Sequence, residues 1–66
     1  MPNAKEIGER LKQLRGEESQ AAVAAACDIS VSALSMYECG QRIPRDEIKI
    51  KLANHFNKSV ESIFFN

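Results

Sequence analysis

The sequence predicts an all-α fold, a compact bundle of five short helices. Three features of its 66 residues point there. Apolar side chains recur three and four positions apart, which is the repeat of a helix face. A serine or asparagine stands directly ahead of most of these runs, where its side chain can accept a bond from a free first-turn N–H. The one stretch that alternates like a strand, Ile48-Ile50-Leu52, has no partner strand elsewhere in the chain.

The first helix is expected over about residues 3–15. Asn3 followed by Glu6 makes a capping-box pattern. Ile7, Leu11 and Leu14 form its apolar face, acids come early and bases late, and Gly16 supplies a left-handed stop. The second helix, 20–26, follows Ser19 as N-cap and is almost all alanine, with Val23 its one bulky apolar residue. Alanine has the highest helix propensity and allows a neighbouring helix to approach closely. Cys27-Asp28-Ile29 breaks it, and Cys27 is expected partly in the core. Ser30 caps a third helix, 31–38, in which Leu34 and Tyr37 share one side. Cys39 to Pro44 read as a loop, with Gly40 as the cap that ends this helix.

The fourth element, 45–56, fits both periods. Its length and the return of Leu52, Ala53 and Phe56 at helical spacing decide for a helix, with Ile50 partly exposed. Asn57-Lys58 ends it. Ser59 then caps a fifth helix, 60–65, whose Val60, Ile63 and Phe64 share a face that Phe65 leaves. Residues 1–66 read as a single domain with no repeat or linker.

Composition narrows the chemistry. No apolar run of about 18 residues exists, so nothing in the sequence reads as a membrane span. The N-terminus lacks a signal pattern, so the cytoplasm is the default location. Cys27 and Cys39 lie too far apart for a CxxC pair, and one histidine is too few for a zinc pattern. Both thiols are therefore expected free, with no metal and no cofactor. His55 is a lone helical histidine without a dyad partner at a suitable spacing. Glu17-Glu18 and Asp46-Glu47 read as solvated acids near helix starts rather than an acid/base pair. With no glycine-rich phosphate loop either, the chain is not expected to be an enzyme, and no small-molecule substrate is evident. The formal net charge is zero. That excludes a nonspecific polycation, so any electrostatic footprint for nucleic acid must come from local clusters.

Ser19-Gln20, Val23-Ala24, the turn at Asp28, Ile29-Ser30, Ala33-Leu34, Tyr37-Glu38 and Gly40 resemble the helix-turn-helix of the Cro and lambda-repressor family, the XRE family. The resemblance covers about the whole chain, because the preceding helix, the Arg42-Ile43-Pro44 connection and the two following helices also fit. This sequence departs from the family in two places. Asp28 stands where glycine is usual, and Cys27 where a bulky aliphatic residue is common.

The resemblance implies a lambda-repressor-like domain that regulates transcription, most often as a repressor. Its third helix would lie in the major groove of double-stranded DNA. The positions exposed toward base edges are Val31, Ser32, Ser35 and Met36. Candidates for backbone contact are Gln20, Ser30, Tyr37, Arg42 and Arg45, with Arg10 and Arg15 weaker. Ser30 is a cap first, Tyr37 is mainly structural, and Glu38 supports the following loop rather than reading a base. Without arginine or lysine the reading face lacks the usual bidentate partner of guanine, so serine hydroxyls, thymine methyls and DNA shape must carry specificity. Ile50 and Phe65, both off the packed faces, are the expected homodimer interface. The competing reading is a helical protein-interaction module, antitoxin-like or adaptor, with this same surface turned to a protein. Neutral net charge and a charge-free reading face favour that reading; the order of cap, turn and reading helix favours DNA.

Overall fold

A computed structural model describes Met1–Asn66 as five α-helices without strands: α1 (Ala4–Arg15), α2 (Gln20–Ala26), α3 (Val31–Glu38), α4 (Asp46–Phe56) and α5 (Val60–Phe64). Four of the five start on a side-chain cap. Glu6 N–H donates to Asn3 Oδ1 at 2.8 Å while Asn3 N–H donates to Glu6 Oε1 at 3.2 Å, a complete capping box. Ser19, Ser30 and Ser59 accept from the N–H of Ala22, Ala33 and Ser62 at 3.0, 3.0 and 3.1 Å. α4 has no side-chain cap, and Asp46 and Glu47 in its first turn suit the positive end of the helix dipole instead.

The observed bounds correct the expected ones by one residue at three ends. Asn3 and Arg45 are N-caps with extended backbone, outside the helices, and Phe65 is the C-cap of α5. Gly16 has φ 55° but ψ −120°, so it stops α1 outside the left-handed helical basin. The stops of α2, α3 and α4 are hydrogen-bonded left-handed turns. After α3, Gln41 N–H reaches the Met36 carbonyl at 2.9 Å across Gly40, whose φ of 76° is one that glycine adopts without strain. After α2 the same pattern turns on Asp28, φ 57°, with Ile29 N–H on the Ala24 carbonyl at 2.9 Å. Asn57, also φ 57°, closes α4.

All five helices contribute to one core. Leu11, Val23, Cys27, Leu34, Leu52, Ile63 and Phe64 are its fully enclosed side chains, and Ile7, Ala24, Tyr37 and Ala53 complete it. Cys27 is wholly inside, deeper than expected, and Leu14 only packs against the edge. The alternation in α4 resolves as a helix. Ile48 and Leu52 are one turn apart on the inner side, while Ile50 is two residues, or about 200°, around from Ile48 and faces out. No helix is long and apolar enough to cross a membrane.

Candidate nucleic-acid interface

α2, the Cys27–Ser30 turn and α3 form one unit. Val23 and Ala24 bury one side of α2; Leu34, Tyr37 and Glu38 bury one side of α3. The opposite side of α3 carries Val31 and Ser32, both exposed, and Ser35 and Met36, both half-buried. These four lie three and four residues apart, so they share a face. Nothing on that face is charged. The first-turn N–H groups of Val31 and Ser32 find no partner inside the chain, because Ser30 takes that of Ala33.

Arg42 and Arg45 leave the loop after α3 as exposed side chains with no ion pair or hydrogen bond. The buried Pro44 anchors the loop between them. Two other expected phosphate contacts are engaged elsewhere. Arg10 Nη1 donates to the carbonyls of Ile63 at 3.0 Å and Ser62 at 3.4 Å, closing the C-terminal end of α5 against α1. Arg15 donates through Nε to Glu38 Oε2 at 2.7 Å and through Nη2 to Glu38 Oε1 at 3.1 Å. Its Nη1 also holds the Glu18 carbonyl at 2.8 Å. Tyr37 has a buried ring. Its hydroxyl makes no bond within the chain, yet no buried side-chain polar atom is unpaired, so the hydroxyl tip reaches the surface. Ser30 is an N-cap, as expected.

Glu38, expected to support the loop after α3, instead turns its carboxylate to Arg15 and Gln20, a role that sequence reasoning missed. It is 3% exposed and the one buried ionic side chain. Besides the two bonds from Arg15, its Oε1 accepts from Gln20 Nε2 at 2.9 Å. One carboxylate thus ties the last residue of α1, the first of α2 and the last of α3. The hydrogen bond to Glu38, together with its negative charge, raises the Arg15 pKa above its ordinary value against the cost of desolvation. A signal was present: Glu38 follows Leu34 by four, on the face that Leu34 buries, and a buried carboxylate needs a cation.

His55 Nε2 lies 3.0 Å from Glu18 Oε1, and Lys51 Nζ lies 4.0 Å from Asp28 Oδ2. These partly exposed pairs tie two successive turns of α4 to the acids flanking α2. At the far end, Ile50 and Phe65 are 52% and 40% exposed and border a shallow groove shared with Asp46, Lys49 and Val60. The Lys49 ammonium stands 4.8 Å above the Phe65 ring. No cluster of side chains suits a metal ion.

Comparison with known proteins agrees with the fold. The helix-turn-helix family model matches residues 11–63. The crystal structure of the restriction-modification controller protein C.AhdI from Aeromonas hydrophila superposes with a TM-score of 0.85 at 27% identity, covering 92% of this chain and 96% of that one. No curated protein matches the sequence. The chain belongs to the helix-turn-helix family of the XRE type and is a DNA-binding transcriptional regulator.

Proposed function

We propose that the chain binds a near-palindromic operator as a homodimer and represses transcription from it in the cytoplasm. Val31 and Ser32 take base edges first, with Ser35 and Met36 deeper along the same face. Arg42 and Arg45 take phosphates, and Gln20 meets the backbone where α2 crosses it. One observation carries this reading: an uncharged, capped α3 face bordered by two arginines without partners in the chain. A neutral protein needs its cations free at the interface, and these two are.

One half-site offers too few base pairs for useful specificity, and a two-fold dimer doubles it, with half-sites about 34 Å apart. The second copy is placed on the groove bordered by Ile50 and Phe65, the exposed large apolar side chains of α4 and the α5 end. A closed two-fold contact uses the same patch on both copies. Selection from random duplexes should return inverted repeats biased toward A·T at contacted positions. Sedimentation should give a dimer that Phe65→Glu converts to monomer. Enrichment of single half-sites by a monomeric wild type, at tens of micromolar and on DNA, rules the reading out.

A further inference from the structure

We infer that Glu38 is a positioning residue for DNA binding: its buried carboxylate turns the Gln20 amide so that the second N–H of Gln20 faces the phosphate backbone. The inference rests on the proposed seating of α2 across that backbone.

A carboxylate only accepts, so the Gln20 atom at 2.9 Å from Glu38 Oε1 must be the amide nitrogen. That chemistry fixes which end of the amide points inward. A glutamine side chain otherwise samples both orientations, and half of them would present an acceptor oxygen to a phosphate. With one N–H held by Glu38, the other remains a donor on a side chain that is only half-buried. Ordering the side chain before binding also removes part of the entropy loss that binding would otherwise carry.

A carboxylate close to DNA would normally repel it. Here Arg15 donates to both oxygens, at 2.7 and 3.1 Å, and compensates the charge. Glu38 is nearly closed to solvent, and its three donor atoms come from two other helices, α1 and α2, so the carboxylate has little freedom to turn away. Arg15 is thereby drawn from the phosphates to Glu38, and Gln20 gains a defined orientation.

The test is a double-mutant cycle on DNA affinity with Gln20→Ala, Glu38→Gln and the pair. A phosphate contact is indifferent to sequence, so a labelled mixed-sequence duplex at low salt serves as probe. Folding is checked by circular dichroism in each variant. Gln20→Ala should weaken binding by about five-fold, the worth of one hydrogen bond. An amide at 38 offers its NH2 toward that of Gln20, so Glu38→Gln should weaken binding similarly in the wild-type background. It should do nothing further once Gln20 is alanine. In nitrogen–proton spectra, the Gln20 side-chain NH2 pair should move toward free-glutamine positions on Glu38→Gln. Should Glu38→Gln not fold, Glu38→Asp keeps the charge for Arg15 and withdraws the carboxylate by one methylene, with the same pattern expected. Equal losses from the Glu38 change in both backgrounds overturn the positioning role and leave Gln20 at the backbone. An unchanged affinity for Gln20→Ala, with its NH2 signals still displaced in the wild type, overturns the seating of Gln20 itself.

Discussion

The backbone of Gly8 in α1 lies against the carbonyl of Glu38 at the end of α3, with no room for a side chain between them. A methyl at Gly8 would stand 2.7 Å from the Tyr37 carbonyl oxygen and closer still to that of Glu38. Both neighbours are backbone, so neither can swing aside. This close approach brings α1 onto the end of α3 and places Arg15, two turns further on, within reach of the Glu38 carboxylate.

Gly8→Ala is therefore expected to destabilise the protein, although the same change in an exposed helix interior would stabilise it by about 1 kcal/mol. Overpacking against a fixed backbone costs about 1–3 kcal/mol and opposes that gain. A net loss of roughly 1 kcal/mol, and at most about 2, is expected in urea unfolding, with an unchanged denaturant slope. An alanine variant as stable as the wild type would mean that α1 and α3 are further apart.

Gly8 also shows where the sequence stops being legible. Local signals were readable because they act within a few residues. Ser19, Ser30 and Ser59 marked three helix starts, and the turn at Asp28, where the resemblance puts glycine, has positive φ. The Ile50 position followed from angular spacing alone. The Gly8–Glu38 approach and the arginine assignments were not readable in this way. Arg10 and Arg15 rank below Arg42 and Arg45 as phosphate candidates, but no local signal gives the first two their partners. Only the packing of α5 on α1, and of α3 on α1, decides that the first two have partners in the chain. Which side chains touch a base is a property of the complex, and no local signal encodes it.

Cys27 gives the protein an alkaline limit. Burial pushes the thiol above its ordinary 9.0, with Lys51 opposing and Glu18 adding to the rise. The folded pKa is thus above the unfolded one. Over the interval between them the unfolded chain has lost the proton and the folded chain retains it, so stability falls as pH rises. Urea midpoints should be flat with respect to this group below pH 9.0 and should decline above it. Cys27→Val, which fills the site without a thiol, should remove that part of the decline. An unchanged slope in the valine variant would assign the limit to other groups.

Asp28 holds φ 57° with its carboxylate almost fully exposed. An L-residue in this basin pays roughly 1 kcal/mol, and aspartate pays less than most. Asp28→Gly relieves that strain but adds freedom to the unfolded chain, so stability should rise by between zero and about 1 kcal/mol. Removing the surface ion pair with Lys51, 4.0 Å away, subtracts little. DNA binding should tighten, because a negative charge leaves the turn before α3. A marked drop in melting temperature would place some unseen role on the aspartate.

Reading and positioning separate by salt. Arg42 and Arg45 are assigned to phosphates, so Arg42→Ala or Arg45→Ala should lower the slope of log affinity against log salt by about 0.9 for each phosphate no longer neutralised. The weakening should be the same on operator and on mixed-sequence DNA, since phosphates carry no sequence. Val31 and Ser32 are assigned to base edges. Ser32→Ala removes one hydroxyl bond and Val31→Ala part of a methyl contact, each worth about 1 kcal/mol per half-site, at the low end for base contacts. Both halves of a dimer carry the change, so the operator should lose up to about thirty-fold in affinity. Mixed-sequence DNA should hardly notice, and the salt slope should stay. All four side chains are exposed, so folding is not at issue in any variant. The opposite pattern, with Ser32→Ala weakening every duplex and bending the salt slope while Arg42→Ala changes only sequence preference, would exchange the two roles. Silence from all four variants would move the interface off this surface altogether.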